Sequence, residues 1–510
     1  MRGRPPDEPP EAEREVVGMA RGGTLNLAAA VVSNLCLLGI TAALGLRLGP
    51  AGVGIYWQAY ALLSLLGLLS LGGFGTAMTR YIAVHRADGD PGAVRGTVRT
   101  GLALTLSLST AAGASLWLGA PWLARVGFEE PTLVDLLRLA ALTLPALALL
   151  DASLGATKGF KTMRPYALIG FVVEPLLRLG LTVAALLAGG GARGAMAALL
   201  ASTCVGAALA AASLRRLLGA PSAPPVYRPR ELFGFSMFSW LAAVASTGLT
   251  WADTILLGVF LPSSQVGVYN VATRLVVLAS FVMMPINSAF GPRIADLHHR
   301  GRTEALRRAY AAATGWIVRL SLPAFIVLGL FATEVLRLFG AEFAVGAVVT
   351  VTLAAGKLVD AGTGPCALML NMSGRPALNM ADNIAVLVLN VALNLWLIPR
   401  FGIVGSAAAW AAALALVNVL RVLQVRATMG MLPFGAGLGP AVGAGAAALL
   451  AGAAVRALAP AELVLPAGVA AVAVTYVAVT LAVGLSAEDR LVIASLRSGR
   501  RPLSRGAPGT

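Results

Sequence analysis

Two ionisable residues, Asp253 and Arg274, lie inside long apolar runs of the sequence. A charged side chain at the centre of a bilayer costs on the order of 3 kcal/mol or more, so it needs a partner or a water-filled cavity. The two residues are equally distant from the turn at Ser263 and Ser264. On an antiparallel helical hairpin they therefore lie at the same depth, where they can pair directly. We predict a functional role for this pair.

Two further pairs have the spacing of neighbours on one helical face. Glu174 and Arg178 are four residues apart with Pro175 between them, and Lys357 and Asp360 are three apart. Such a pair can line a transport cavity, or it can be a structural ion pair that fixes the register of packed helices. The spacing alone leaves both interpretations open.

Three intramembrane charges have no partner close by in the sequence: Arg319, Asp151 and Asp382. An arginine keeps its charge and requires an anionic partner, so we predict that Arg319 faces a cavity. The two aspartates can equally be snorkelling or capping groups near helix ends. Their predicted role in function is accordingly the weaker one.

The sequence lacks the motifs of several kinds of catalytic site. The chain has no GxxxxGKS/T phosphate-binding loop, no HExxH and no GxSxG. Its three cysteines, Cys36, Cys204 and Cys366, fall inside apolar runs without metal-ligand spacing. We therefore expect no enzyme, no cofactor and no metal, and any transport would draw on an ion gradient, the membrane potential or consumption of the product.

The elements that must hold these charges are apolar segments of membrane length. Of the 510 residues, 58% are hydrophobic and 12% are charged, and the mean hydropathy is +0.81. Apolar runs of about 20 residues, enough to cross a hydrocarbon core roughly 30 Å thick, recur along the chain, and we count about 14 of them. This pattern excludes a soluble globular protein and predicts an all-α integral membrane protein.

The basic residues are distributed as topology determinants. Alternate loops hold roughly 28 Lys and Arg against about 7 in the opposite loops, as the positive-inside rule requires. The net charge of +16 therefore does not indicate nucleic-acid binding. With both polar termini in the cytoplasm, the pattern predicts a multi-pass protein of the cytoplasmic membrane.

An internal repeat relates two parts of the chain. The segment GLRLGPAGVGIY at 45–56 aligns without gaps with GVFLPSSQVGVY at 258–269, and the same register pairs Arg80 with Arg293. The repeat contains six helices, and an even number preserves orientation. We therefore predict two parallel six-helix bundles related by an axis along the membrane normal, an organisation typical of transporters. No channel-filter sequence accompanies it.

The predicted domains follow from this repeat. The linker between the bundles is rich in proline and charge, as a connection between rigid bodies requires. The domains are a disordered cytoplasmic tail at 1–22, an N-terminal six-helix bundle at 23–220, a cytoplasmic linker at 221–231, a C-terminal six-helix bundle at 232–428, helices 13 and 14 at 429–486, and a basic cytoplasmic tail at 487–510.

Five segments resemble the polysaccharide-biosynthesis, or oligosaccharide (Wzx-type) flippase, family. They are LGPAGVGIYWQAYALLSL, WADTILLGVFLPSSQVGVYNVATRL, FGPRIADLHHRGR, MSGRPALNMADN and LNLWLIPRFGIVGSAAAW. The resemblance implies the MATE-related fold of the MOP superfamily, with two six-helix bundles forming a V and two extra C-terminal helices. It also implies that a polyprenyl-diphosphate-linked oligosaccharide moves from the cytoplasmic to the outer leaflet by alternating access, for cell-surface polysaccharide biosynthesis.

The resemblance further implies a cationic cavity that receives diphosphate and sugar. A diphosphate needs fixed positive charge, which arginine supplies with a planar fork that matches phosphate oxygens. Asp253 would hold Arg274 in place or exchange its partner during the transition. The implied cavity residues are Arg274, Asp253, Arg319, Arg178 and Glu174, and Arg80 and Arg293 would guard the cytoplasmic mouths of the bundles.

The implied partners are a lipid-linked oligosaccharide and membrane lipid. A coupling ion (H+ or Na+), a glycan polymerase and glycosyltransferases are further candidates, and nucleic acid is excluded. Three alternatives stay open: a lipid II-type precursor flippase, a MATE-like ion-coupled exporter of small molecules, and a non-transporting membrane scaffold of glycan assembly. The exporter should favour acidic cavity residues, and the scaffold should need no intramembrane charges.

Overall fold

A computed structural model describes residues 11–220, 223–435 and 437–483. Every regular element in these ranges is helical. The α-helices are α1 Glu11–Leu71, α2 Phe74–Ala87, α3 Pro91–Trp122, α4 Leu133–Gly159, α5 Arg164–Leu168, α6 Glu174–Leu187, α7 Gly191–Leu218, α8 Pro229–Phe260, α9 Ser263–Ala279, α10 Met283–His299, α11 Thr303–Arg337, α12 Ala347–Thr363, α13 Cys366–Met372, α14 Pro376–Met429, α15 Leu438–Leu458 and α16 Val464–Val483. Short π-helices occupy Leu123–Gly127 and Ile169–Val173, and a 3₁₀-helix occupies Ala341–Gly346.

Ten helical stretches in the described part of the chain are long and apolar enough to cross a bilayer, or eleven if α9 and α10 count as one span. The predicted number of about 14 spans is therefore not confirmed. Part of the difference has a geometric reason. The stretch Ala28–Ala87 counts once although it has 60 residues, and at 1.5 Å per residue it is about three times as long as the hydrocarbon core is thick.

The two longest helices, α1 and α14, are broken internally. In α1 the break is at Gly49, whose φ of 65° suits glycine, and Pro50 follows it without a backbone N–H to continue the helical ladder. In α14 the break is at Gly402, with φ of 57°. Each break falls between two apolar runs that the sequence separates, so each helix carries two predicted spans.

The predicted termini are only partly described. Residues 1–10 of the predicted tail at 1–22 lie outside the described residues. Residues 11–22 belong to α1, which begins at Glu11. The predicted basic tail at 487–510 lies outside the described residues altogether. The predicted helices 13 and 14 correspond in position to α15 and α16.

The chain divides into two compact units. The first takes in the described residues up to Leu278 together with Val335–Gly356 and Arg375–Val417. The second takes in Ala279–Glu334, Lys357–Gly374 and the described residues from Asn418 onward. The bundles predicted at 23–220 and 232–428 remain a prediction.

Each unit has its own buried core. In the first, Phe74, Met78 and Ile82 of α2 pack with residues of α3, α4 and α7. In the second, a buried cluster contains Tyr310 and Cys366 together with residues of α10, α13 and α14. Close packing of large side chains such as these adds van der Waals contacts, which stabilise each unit.

Within the first unit, the two repeat segments meet at a close backbone contact. A Cβ atom on Gly54 would overlap the carbonyl oxygen of Ser263, and a Cβ atom on Gly267 would overlap that of Pro50. In the register of the repeat, Gly54 is equivalent to Gly267 and Pro50 to Ser263. The contact is therefore the same from both sides, as expected where a pseudo-twofold axis passes between repeats.

The described residues of the predicted linker attach to the start of α3. The backbone N–H of Val226 donates to the carbonyl oxygen of Gly92 at 2.9 Å, and a Cβ atom on Gly96 would overlap the carbonyl oxygen of Val226. Arg228 forms an ion pair at 3.4 Å with Asp90, the N-cap residue of α3. The linker is thus held against the helices that precede it.

Candidate functional site

Arg178 of α6 is buried beside two tyrosines of α1. Its Nη2 donates a 2.6 Å hydrogen bond to the hydroxyl of Tyr56, and its guanidinium lies 4.7 Å from the ring centroid of Tyr60. The side chain is only 6% exposed. Because Tyr56 and Tyr60 are four residues apart on a helix, they share a face and contact the guanidinium together.

Arg274 of α9 contacts two tryptophans. Its guanidinium carbon is 4.2 Å from the ring centroid of Trp57 and 5.2 Å from that of Trp251. The two indole rings are stacked, with centroids 6.1 Å apart and an angle of 22° between their planes. Contacts of this kind contribute from about 0.5 kcal/mol to about 2 kcal/mol where the cation is desolvated.

We name Tyr56, Trp57, Tyr60 and Trp251 the aromatic cage. Its rings contact one another: the Tyr56 and Trp57 centroids are 5.3 Å apart, and the Tyr60 and Trp251 centroids are also 5.3 Å apart. The cage therefore links the two arginines, all within the first unit. α1, α6, α8 and α9 supply its residues and the two guanidinium groups.

The cage arginines have no carboxylate partner in the described part of the chain: no Asp or Glu lies within 4.0 Å of Arg178 or Arg274. The Nε atoms of both are buried and make no hydrogen bond there. Arginine cannot lose its charge to relieve this cost. The site is therefore a pair of fixed, incompletely satisfied cations, which favours an anion as ligand.

Glu174 does not form the predicted ion pair with Arg178. Its Oε1 instead accepts a 3.0 Å hydrogen bond from Ser202, although Glu174 and Arg178 line one cavity of about 180 Å³ together with Asp151. The segment before Glu174 is the π-helix Ile169–Val173. A π-helix changes the register of the residues that follow it, and the apolar periodicity of the sequence does not reveal this change. Asp151, for which the sequence left a snorkelling or capping role open, lines this cavity too.

Asp253 lies in the same unit but does not pair with Arg274, so that prediction was wrong. Its carboxylate accepts hydrogen bonds from Tyr269 at 2.7 Å and from Asn394 at 2.9 Å. Equal depth did not mean a shared face. Tyr269 and Arg274 are five residues apart on α9, so their side chains point about 140° apart around the helix axis.

The Asp253 carboxylate lies among neutral polar groups. It is 4% exposed. Within the described structure, the side-chain oxygens of Asn390 and Asn394 are buried without a donor, while the Asn390 side chain also lies at the Asp253 carboxylate and Ser406 lies at the Tyr269 hydroxyl. Oxygen atoms that lack donors are ligands that hard cations prefer.

The remaining predicted site residues lie on elements that do not supply the cage. Arg319 belongs to the second unit: its backbone carbonyl accepts a 2.9 Å hydrogen bond from Tyr476, and its Nη2 would lie 3.7 Å from a Cβ atom on Gly437. Arg80 on α2 and Arg293 on α10 have exposed side chains. Of the seven predicted site residues, the cage region contains Arg178 and Arg274.

Lys357 and Asp360 form the ion pair that their spacing predicts. Lys357 Nζ lies 2.9 Å from Asp360 Oδ2, and Asn418 donates to the other carboxylate oxygen at 2.9 Å. Both carboxylate oxygens of Asp360 thus have partners within the second unit. This pair fits the structural interpretation.

The aromatic cage is the part of the site that the sequence analysis missed. A signal was present, because IYWQAY at 55–60 places two tyrosines and a tryptophan within a little more than one turn of an otherwise aliphatic helix. In the described ranges no group of three or more His, Cys, Asp or Glu residues is arranged to hold a metal ion. Cys36, Cys204 and Cys366 are free thiols.

Two family profiles match this chain. The profile described as "Polysaccharide biosynthesis protein" matches residues 19–298, and the profile described as "MatE" matches residues 239–396. The first match covers more than half of the sequence.

Two curated proteins of Haloferax volcanii are similar to part of the chain. The "Probable low-salt glycan biosynthesis flippase Agl15" is 27% identical over 199 residues, covering 39% of this chain and 42% of that protein. The "Probable flippase AglR" is 29% identical over 213 residues, covering 40% of this chain and 43% of that protein. The aligned part of the chain thus spans about two fifths of the length of these relatives.

Solved transporter structures share the fold. The inward closed conformation of the lipid II flippase MurJ superposes with a TM-score of 0.73 at 12% identity, covering 94% of this chain and 100% of that chain. An inward-facing multidrug resistance MATE family transporter of the MOP superfamily gives a TM-score of 0.65 at 18% identity, covering 80% of this chain and 98% of that chain. At these identities the similarity concerns the fold alone.

Proposed function

Because the chain belongs to the polysaccharide biosynthesis protein family, we propose that it is a flippase for a polyprenyl-diphosphate-linked oligosaccharide. In this role it moves the lipid-linked oligosaccharide from the cytoplasmic to the outer leaflet for the synthesis of a cell-surface polysaccharide. The names of the two Haloferax volcanii relatives support the substrate class. The work done is transport and not covalent chemistry.

The single observation that carries the proposal is the pair of cage arginines. Arg178 and Arg274 are held on apolar helices by aromatic rings, without a carboxylate partner among the described residues. A diphosphate group supplies the missing counter-charge, and guanidinium groups bind its oxygens in pairs of parallel hydrogen bonds. The rings hold the arginines in place before the substrate arrives, which lowers the entropy cost of binding.

Glu174 and the remaining arginines have supporting roles in this proposal. Glu174 lines the small cavity next to Arg178, where it tunes how strongly that arginine holds an anion. Arg319 provides a further cationic contact along the path. Arg80 and Arg293, both exposed, attract the anionic substrate at the cytoplasmic entrance.

Ion coupling is part of the same proposal and centres on Asp253. A buried carboxylate surrounded by neutral groups is expensive while charged, so binding of H+ or Na+ there relieves the cost. The side-chain oxygens of Asn390 and Asn394 that lack donors in the described structure support a cation at this place. Under this proposal Asp253 responds to the ion gradient while the cage arginines hold the substrate.

The transport cycle that we propose is alternating access between two six-helix bundles in the cytoplasmic membrane, with both termini in the cytoplasm. A glycan polymerase and glycosyltransferases are partners on this route, because they consume and supply the lipid-linked oligosaccharide. A lipid II-type precursor is the nearest alternative substrate, since it also carries a diphosphate.

The decisive experiment measures outward exposure of the lipid-linked oligosaccharide in cells that lack this gene. The cells are complemented with wild type, with Arg178→Gln/Arg274→Gln, or with Arg307→Gln, which alters an exposed arginine paired with Glu304. We expect the double variant to lower exposure at least about tenfold, because each lost charged hydrogen bond is worth about 1.5–3 kcal/mol. Arg307→Gln should behave as wild type.

The same assay separates the alternatives. An effect of Asp253→Asn that vanishes when the H+ or Na+ gradient is collapsed supports the ion-coupling part. Normal exposure in the double variant, at a normal level of membrane-inserted protein, would mean that the arginines do not bind substrate and that a scaffold role is correct. Altered efflux of cationic drugs with unchanged glycan exposure would favour the exporter.

A further inference from the structure

A second cavity lies at the ends of four helices, apart from the aromatic cage. Its volume is about 250 Å³, and it is formed where α2 and α7 end, α3 begins and the chain leaves α4. Arg86, Arg95, Val94, Phe160 and Leu218 line it. None of these residues belongs to the cage or lines the cavity around Glu174.

The two arginines of this cavity are held by apolar and backbone groups. The guanidinium of Arg86 lies 5.0 Å from the ring centroid of Phe160, and its side chain is exposed. Nη2 of Arg95 donates to the carbonyl oxygens of Leu218 and Gly219, each at 3.3 Å, and to that of Ala220. Arg95 thereby satisfies orphan carbonyls at the C-terminal end of α7.

No acidic side chain neutralises either arginine within the described ranges, where neither has a carboxylate within 4.0 Å. Asp90 also lines the cavity, but its oxygens have other partners. One oxygen accepts from the backbone N–H of Ala93 at 2.8 Å, and the other pairs with Arg228 at 3.4 Å. The cavity therefore keeps a positive charge on one side.

Apart from Asp90 and the two arginines, the side chains of the cavity wall are apolar. Val94 is buried at 6% exposure, and Phe160 and Leu218 are partly buried. The combination of two guanidinium groups with aliphatic and aromatic walls matches a molecule with a phosphate next to hydrocarbon. Four candidate membrane spans, Ala28–Ala87, Pro91–Gly127, Leu133–Gly159 and Gly191–Leu218, have an end at this cavity, so it lies at the depth of lipid headgroups.

We propose that this cavity binds the phosphate group of an anionic membrane lipid. Arg86 and Arg95 contact the phosphodiester, and the glycerol and the first acyl carbons lie against Val94, Phe160 and Leu218. An anionic lipid is favoured over a zwitterionic one, because a choline or ethanolamine group would bring a second positive charge towards the arginines. The volume suits a headgroup, since pockets for larger ligands begin at about 300 Å³.

The site also has a consequence for packing. A lipid seated there contacts the ends of α2, α3, α4 and α7 at once and adds a further link between these elements. Bound lipid should therefore stabilise the first unit, because a ligand that binds only the folded state shifts unfolding by mass action. This role is independent of the proposed substrate and of the aromatic cage.

The experiment is native mass spectrometry of the purified full chain in detergent, titrated in separate arms with phosphatidylglycerol, phosphatidylcholine and inorganic phosphate. We expect wild type to bind phosphatidylglycerol at least about fivefold more tightly than phosphatidylcholine, because each basic residue near an anionic headgroup contributes a factor of about five. Arg86→Gln should reduce this preference by a factor of about five, because it removes one of the two guanidinium groups and leaves Arg95 in place. Arg99→Gln, which changes an exposed arginine one turn further along α3 and outside the cavity, should leave the preference intact.

Arg86 is exposed, so Arg86→Gln should keep the melting temperature of lipid-free wild type and test binding without unfolding the protein. Arg95→Lys is a second variant, which keeps the charge but loses the planar fork, and it should give an intermediate preference. Two outcomes would overturn the proposal: an unchanged lipid preference in Arg86→Gln, or displacement of phosphatidylglycerol by inorganic phosphate at equal concentration. The second would identify a site for soluble phosphate.

Discussion

At the residue scale, the contacts of Arg274 depend on the planar shape of its guanidinium group. Its guanidinium lies near the faces of Trp57 and Trp251, with centroid distances of 4.2 and 5.2 Å. An ammonium group at the same place would keep the charge but would lose both the stacking and the paired hydrogen-bond donors. Charge alone therefore does not describe what this position contributes.

Arg274→Lys tests this point. We expect about a fivefold rise in the substrate concentration needed for half-maximal flipping in proteoliposomes. This corresponds to a loss of about 1 kcal/mol of binding free energy, because lysine lacks the cation–π stacking and the paired donors of the guanidinium. The maximal rate should change less, since the charge remains. Arg307→Lys, at an exposed position, is the matched control. An identical concentration dependence in wild type and Arg274→Lys would show that the position needs only a positive charge.

The arginines themselves could be predicted from sequence, because intramembrane charge is rare and is expensive without a function. Their partners could not. Whether Arg274 meets Asp253 or Trp251 depends on the rotation of α8 and α9 about their axes, and side chains two residues apart on a helix point in nearly opposite directions, about 200° apart. Equal distance from a turn fixes depth, but it does not fix rotation.

At the element scale, the close contact of Gly54 with Gly267 limits how α1 and α9 can pack. Each glycine leaves room for a backbone carbonyl of the other repeat segment. Small residues that let helix backbones approach closely are a common device in membranes, where apolar side chains gain nothing by leaving lipid. The repeat register of the sequence predicted the equivalence of the two positions, but no feature of the sequence predicted that they touch.

We predict that Gly54→Ala and Gly267→Ala each lower the stability of the purified protein by about 1–3 kcal/mol, the usual cost of overpacking. The two costs should be similar, because each new methyl group meets a carbonyl oxygen in an equivalent setting. Thermal unfolding in detergent measures them, with Gly315→Ala as control, since a Cβ atom at Gly315 would meet nothing within 4 Å. Melting temperatures like that of wild type would contradict a tight contact.

Another feature of the helices could not be predicted from the apolar periodicity of the sequence. The π-helix at Ile169–Val173 lies inside one predicted apolar span and does not interrupt its apolar character. Hydropathy therefore finds the apolar segments and leaves their internal breaks uncertain. The position of Glu174, directly after a π-helix and hydrogen-bonded to Ser202, is an example of what is lost.

At the scale of the whole molecule, the distribution of Lys and Arg predicts which loops face the cytoplasm. Thr132, between α3 and α4, and Asp88, between α2 and α3, are both exposed and lie at successive turns of the chain. They should therefore be on opposite sides of the membrane. This orientation also decides which leaflet supplies the lipid for the cavity at Arg86.

Cysteine labelling tests the orientation. With Cys36, Cys204 and Cys366 replaced by Ala, a thiol introduced by Thr132→Cys should react with a membrane-impermeant maleimide in intact cells. The thiol introduced by Asp88→Cys should react only after the cells are lysed. Restored growth or glycan exposure in each variant is the control for normal insertion. The reverse pattern of labelling would place both termini outside and would invalidate the proposed direction of transport.

The contact between the two repeats also carries information about descent. If one six-helix segment was duplicated to give this chain, its single ancestral glycine would have faced its own copy across a dyad in a homodimer. Any mutation there would have altered both sides at once. In the fused chain Pro50 and Ser263 now differ, yet they offer the same backbone carbonyl, while Gly54 and Gly267 are still identical. The two repeats thus share at this contact the space that a backbone carbonyl needs, although the side chains that accompany the carbonyl differ.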